Sequence, residues 1–332
     1  MRIQLLPGLQ RVWRGPTTLQ LGVSPRRSVV LEGLTPDDVR LVERLDGGLD
    51  PTDVTAPDEL VALLRGAGAL VPARAGRSAR SVVGRHEELE PDAATWALVH
   101  RGCGDGWDLL AARAARTVLV VGEGRVADAV AAALAAAGIG TTDRRPRLTE
   151  RGIRARTGRG VPRPACVVLV EPVAADSARA ADLVRRDVPH LSVVVREGDV
   201  VVGPLVRPGT DPCLRCFDLH RTALDPAWPG VLAQLLSGPR DAPEETTVAA
   251  LAGRLAALAV LTLLDGRTTP AACGATLEVE LPDGLVTRRP WPAHPECGCR
   301  WPPAGEPGDA PGTTTSPAHR ARSQPATVTM EP

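Results

Sequence analysis

The sequence predicts an α/β protein in two parts. A small winged-helix-like α+β module spans residues 1–75, and a larger Rossmann-like domain spans 117–301. Three observations carry this. Thr117-Val-Leu-Val-Val121 is a continuous apolar run of the kind that forms a buried parallel strand. It enters Gly122-Glu-Gly-Arg-Val-Ala127 and then an Ala-rich helical stretch over 126–137, which gives strand, glycine turn and helix in the order of a βαβ unit. Short strand, helix and strand patterns within 1–75 follow the order of a winged-helix unit.

Taken in order, Val12–Pro16, Leu19–Leu21 and Ser28–Leu31 read as short strands. Thr35-Pro36-Asp37-Asp38 is a helix start, with an N-cap, Pro at the first helical position and acids where the helix dipole favours them. That helix should run to about Leu45 and stop at Gly47-Gly48. A second helix covers Asp58–Arg65, and Gly68–Val71 returns as a strand. Residues 76–116 read as an Arg-rich linker followed by helices over 92–100 and 107–116, anchored by Trp96, Leu98, Trp107, Leu109 and Leu110.

In the larger part, Ile139–Asp143 is the second strand, 165–171 the third, 191–196 the fourth and 200–206 the fifth, with a helix over 174–186. Helices are expected at 218–223, 226–236 and 246–264. Strands over 275–281 and 285–289 flank Pro282-Asp-Gly284 and read as a hairpin. Residues 302–332 are Pro, Gly, Ser and Thr with almost no large apolar side chain, the composition of a disordered tail.

Lys+Arg and Asp+Glu are both 39, so no basic field argues for nucleic acid. The expected recognition helix, Asp58–Arg65, puts two acids where phosphate contacts would be made. Its architecture also serves peptide capture, in which a peptide adds as a strand to an open sheet edge. No run reads as bilayer-spanning, and seven Cys without a signal peptide point to a reducing, cytoplasmic setting. The chain has no Lys, Asn or Tyr, and Phe217 is its sole Phe; all positive side-chain charge is Arg.

Two thiol pairs carry the chemistry. Cys213 and Cys216 form a C-x-x-C after a Pro/Gly-rich turn, and Cys297 and Cys299 form a C-x-C at the far end. Each pair supplies two ligands from one tight turn, which suits a tetrahedral Zn²⁺ joining the two turns. A redox pair is the competing reading of the C-x-x-C, unpaired thiols a third, and His294 an alternative fourth ligand. Four protein ligands leave no position for water, so the site reads as structural. Gly122 and Gly124 stand where a nucleotide pyrophosphate would lie, and Asp143 where a ribose-binding acid would be. Glu123 opposes this by placing a carboxylate in the same loop. On Gly-x-Gly alone, a nicotinamide-dependent reductase is one further reading.

The Rossmann opening, Gly203-Pro-Leu-Val…Pro-Cys-Leu-Arg-Cys216 and His294-Pro-Glu-Cys-Gly-Cys299 together resemble the ThiF/E1-like family. They are most similar to its actinobacterial branch of bacteriocin-biosynthesis cyclodehydratase or azole-peptide (TOMM) leader-binding proteins. Leu5–Leu9 and Val12–Pro16 resemble the start of a PqqD-like recognition module. The resemblance implies that Cys213, Cys216, Cys297 and Cys299 are zinc ligands. It implies a precursor leader peptide and a YcaO-type cyclodehydratase as partners, and is compatible with a homodimer. Active members adenylate a carboxyl terminus with Gly-x-Gly-Gly-x-Gly, an Asn/Arg segment and a Lys. Here the loop is Gly-Glu-Gly-Arg-Val-Ala and no Lys or Asn exists. Arg144, Arg145 or Arg147 would have to meet any phosphate, and Cys103, Cys166 and Cys273 have no base nearby in sequence. The expectation is an inactive E1-like scaffold kept for binding. An ATP-dependent adenylyltransferase and a zinc-containing DNA-binding regulator stand as alternatives.

Overall fold

The computed structural model describes residues 3–49, 58–72, 85–147, 163–239, 241–299 and 326–329. Much of the expected linker and most of the tail lie outside them. The chain divides into two compact units, Met1–Ala111 with Pro307–Pro332, and Ala112–Glu306.

The first unit holds strands β1 (Ile3–Leu5), β2 (Arg11–Gly15), β3 (Thr18–Leu21) and β4 (Val29–Glu32), then helix α1 (Pro36–Glu43). Thr35 caps α1 as its residue types predict: its hydroxyl accepts from the Asp38 amide at 3.2 Å while Asp38 accepts from the Thr35 amide at 2.9 Å. Strand β5 (Asp46–Leu49), helix α2 (Asp58–Gly66), strand β6 (Leu70–Pro72) and helix α3 (His86–Val99) follow. The sheet β5-β1-β6 was not expected. Three-residue β1 has no periodicity to read, and Gly47-Gly48, expected to end a helix, lies inside β5. Leu19, Leu31, Leu34, Val42, Leu60, Leu64 and Ala97 share the core, so α3 packs with the first unit.

The tail was expected to be without structure throughout. Four of its residues, Ala326–Thr329, instead form a strand that pairs in parallel with β4. Thr327, Val328 and Thr329 are β-branched types that favour this conformation.

The second unit starts within helix α4 (Trp107–Ala114), followed by β7 (Thr117–Val121), α5 (Arg125–Ala136), β8 (Thr141–Arg145) and β9 (Cys166–Pro172). Next come α6 (Ser177–Arg185), β10 (His190–Val195), β11 (Asp199–Val206), α7 (Leu214–Leu224), α8 (Trp228–Ser237) and α9 (Thr246–Asp265). The hairpin β12 (Ala275–Glu280) and β13 (Leu285–Pro290) closes the fold, and the tail strand is β14. The seven-stranded sheet runs β13-β12-β11-β10-β9-β7-β8. Strands β8, β7, β9 and β10 are parallel, and β11, β12 and β13 extend the sheet antiparallel. Burial of β7, β9 and β10 on both faces explains why their sequences are mostly apolar.

Helix α9 corrects one reading. It is 20 residues long and apolar enough to match a membrane span by length and composition. In this unit it is a core helix: Val248, Ala252, Ala256 and Val260 pack in the same cluster as Val126 and Val130 of α5. The two helices meet through small residues, and a Cβ on Gly253 would lie 2.5 Å from the Ala129 methyl. At the end of α9, Asp265 forms a fork with Arg113 (Nε–Oδ1 2.9 Å), both side chains almost fully buried.

Candidate metal centre and glycine-loop cavity

The first thiol pair is built by the turn between β11 and α7. Asp211 grips Arg207 through two side-chain bonds of 2.7 and 2.9 Å and accepts the Arg207 amide at 3.0 Å. The turn then delivers Cys213 as the N-cap of α7 and Cys216 one turn in, with the Cys216 amide donating to the Cys213 carbonyl at 2.9 Å. Both sulfurs sit at the positive end of a helix, which favours thiolates. The second pair comes from the segment after β13. Trp291 packs on Phe217 with ring centroids 5.1 Å apart, and the Cys297 amide donates to the His294 carbonyl at 3.0 Å.

The two turns meet. Cys213 Sγ lies 3.4 Å from Cys297 Sγ, and Cys216 Sγ lies 3.3 Å from Cys299 Sγ. All four sulfurs are within 4.8 Å of one another. Four sulfurs at about 2.3 Å from a tetrahedral zinc stand under 4 Å apart, so the donor set fits such an ion. The chemistry of the set agrees. Burial pushes the Cys213 thiol up to about 11 and raises Cys297 as well. Around Cys299 burial acts the same way but is outweighed by hydrogen-bond donors, so its pKa falls. A dication removes the cost of holding such thiolates together. The four cysteines thus form a cluster able to hold a metal such as zinc. His294 is outside it: its Nδ1 accepts from the Glu296 amide at 3.2 Å and its ring meets His220 edge-on. Cys166 and Cys273 are apart from the cluster, and burial pushes both thiols up to about 12.

The glycine loop opens on a cavity of about 480 Å³ at the ends of β7, β9 and β10. Gly122 and Gly124 line it; Asp143 does not, and is instead paired to Arg145 at 2.7 Å. Of the arginines considered for phosphate, Arg144 is engaged by Asp128 at 2.8 Å, and only Arg147 reaches the cavity. Gly124 has φ +94°, which a side chain would resist.

One acid of this cavity carries no signal in the sequence. Glu244, just before α9, sends its carboxylate to the N-terminus of α5, where Oε2 accepts the Val126 amide at 2.6 Å. Its Oε1 lies 2.0 Å from where a Gly124 Cβ would be. Arg125 secures the incoming segment by donating to Thr246 Oγ1 at 2.7 Å and to the Glu244 carbonyl at 3.3 Å. A carboxylate of the chain's own therefore fills the anion position of the glycine loop. Glu123, Glu171 and Asp241 line the same cavity, against Arg147 and Arg179, and Arg179 is already bonded to Glu171 at 3.1 Å.

No protein-family model matches the chain, and no curated protein matches it. Solved structures do match. The heterocyclase TruD superposes with a TM-score of 0.63 at 18% identity, over 90% of this chain and 43% of that one. A heterocyclase in complex with substrate and cofactor gives 0.62 at 16%, over 90% and 39%. E. coli MccB in complex with succinimide gives 0.61 at 13%, over 90% of this chain and 99% of that chain. The chain thus spans less than half the length of the two heterocyclases and nearly all of MccB. At these identities the likeness shows a shared fold.

Proposed function

We propose that this chain is a leader-peptide-binding, catalytically inactive E1-like scaffold that presents a ribosomal precursor peptide to a YcaO-type azoline-forming cyclodehydratase. The observation that carries the reading is Glu244 on the Val126 amide. A fold of this type holds a nucleotide by leaving a helix N-terminus open to phosphate. Here that terminus is satisfied internally and ringed by further acids, so a triphosphate meets like charge. On this reading the thiol cluster and the sheet serve binding rather than nucleotide chemistry.

The peptide half of the reading is supported by the first unit. Its sheet accepts an added strand: Ala326–Thr329 pairs with β4 over four residues. Strand addition of this kind gives main-chain affinity, with pockets beside the sheet giving specificity. The fold neighbours are compatible with this context; E. coli MccB has been solved with ATP and with MccA. Under this reading Cys213, Cys216, Cys297 and Cys299 hold a structural zinc, and ATP has no catalytic part.

Two measurements on the purified chain decide between the scaffold and the adenylyltransferase. Precursor peptides encoded beside the gene should bind at micromolar concentration or tighter by fluorescence anisotropy. ATP–pyrophosphate exchange should be flat with and without them. Peptide-stimulated exchange would establish the enzyme instead, and failure of every neighbouring peptide to bind would remove the scaffold reading.

A further inference from the structure

A second cavity, about 440 Å³, lies over the antiparallel part of the sheet and shares no lining residue with the glycine-loop cavity. Its floor comes from β10, β11 and β12, and α7 and α8 form the opposite wall. The volume falls in the range of small-molecule sites. Its polarity is unusual for a sheet face under helices. Ser192 is fully buried, lines the cavity, and its hydroxyl has no hydrogen-bond partner. A buried hydroxyl without a partner costs stability unless something else satisfies it.

Three arginines converge here. Arg196 is paired with Asp199 at 3.3 Å, and Arg289 with Glu278 at 3.1 Å. Arg221 has no such partner: among the described residues no carboxylate lies within ion-pair distance of it. The nearby Asp218 carboxylate is engaged by Trp228 Nε1 at 3.3 Å. The Arg221 guanidinium lies 4.8 Å from the centre of the Trp228 ring and 5.8 Å from that of Trp291. Burial disfavours its charge and Arg196 and Arg289 repel it, while Asp218 and Glu278, beyond ion-pair distance, offset this in part. A guanidinium in that position is relieved by an anion. Helix α8, which walls the cavity with Trp228 and Leu235, buries none of its ten residues, although most are apolar.

We propose that this cleft binds a singly charged carboxylate ligand with an aromatic or aliphatic body. The carboxylate meets Arg221, and the body lies against Trp228, Leu235 and Phe217. A planar carboxylate matches the guanidinium fork. A multiply charged phosphate does not suit the cleft, because Glu197, Asp218 and Glu278 line it too.

The test uses the full chain and a near-isosteric pair of probes, N-acetyl-L-phenylalanine and its amide, in which an NH₂ group replaces one carboxylate oxygen and removes the charge. Indole N–H resonances of Trp228 and Trp291, assigned with single Trp→Phe variants, are followed by NMR. The acid should shift both indoles saturably, with the amide at least about tenfold weaker, as expected for one charge-assisted contact. Arg221→Gln should weaken the acid by a similar factor and leave the amide unchanged. Equal binding of acid and amide, no shift at either indole, or inorganic phosphate displacing the acid at comparable concentration overturns the proposal. If Arg221→Gln does not fold, the acid–amide comparison on the unaltered chain still decides.

Discussion

The Glu244 carboxylate and the Val126 amide are 118 residues apart in the chain and 2.6 Å apart in space. The bond does two things at once. It caps α5, and it occupies the place where a nucleotide phosphate would lie. Glu244→Ala should therefore cost about 0.5–2 kcal/mol in urea unfolding, as for loss of an N-cap. The same change should raise ATP-dependent thermal stabilisation from nothing to a measurable shift. Glu244→Gln, which retains an acceptor without the charge, should fall between. Equal ATP stabilisation of the unaltered chain and the Ala variant would show that the carboxylate is no barrier.

The thiol cluster predicts one metal per chain. Elemental analysis should find zinc at a ratio near one, and Cys216→Ser or Cys299→Ser should abolish it. Cys273→Ser should retain it, because that thiol is outside the cluster. Such an ion would join positions 84 residues apart, Cys213 and Cys297. Its loss should destabilise the second unit by about 2–5 kcal/mol, comparable with removing a native disulfide. A zinc-free chain with unchanged melting temperature would remove the centre.

What was legible in the sequence follows from how local each signal is. The C-x-x-C and C-x-C could be read because each turn fixes its own pair within a few residues, and the turns needed only to meet. The strand into Gly122 and Gly124 was legible because β7 is buried on both faces and α5 follows without a break. Glu123 reads as a repulsive acid in that loop, but Glu244 carries no such signal: its segment, Asp241 to Glu245, has no periodicity, and only the fold returns it to α5. Asp143 lies on β8 paired with Arg145 and outside the cavity lining, a placement that its position in sequence does not display. The cleft around Arg221 draws on residues from Val173 to Trp291, so no window of sequence displays it.

The tail strand β14 predicts competition at the edge of β4. If a leader peptide adds there, residues 326–329 exclude it by taking the same backbone groups, at the high effective concentration of a tethered segment. Truncation before Pro307 should tighten leader binding by up to about tenfold in fluorescence anisotropy. Strand β2 forms the other edge of that sheet, and Trp13 there is 42% exposed. Trp13→Ser should therefore leave affinity unchanged. Tighter binding only in the Trp13 variant, or weaker binding after truncation, would move the peptide site away from β4.

His190 gives the second unit a pH dependence whose direction is fixed by its surroundings. The side chain is fully buried on β10, with Nδ1 3.0 Å from the Val188 carbonyl and Nε2 without a partner. Burial lowers its pKa below the ordinary 6.5, against the opposing effect of the carbonyl. The unfolded chain therefore takes up a proton near pH 6.5 while the folded chain does not, so stability rises with pH across this range. The contribution is fully present above 6.5 and is lost as pH falls below it, until the folded pKa is reached. Unfolding free energies from urea titrations between pH 7.5 and 5 should decline with a slope of at most about 1.4 kcal/mol per pH unit from this one group. His190→Leu should flatten that part of the profile, because no proton is then taken up at this position in either state. An unchanged slope in the variant would assign the dependence to other groups.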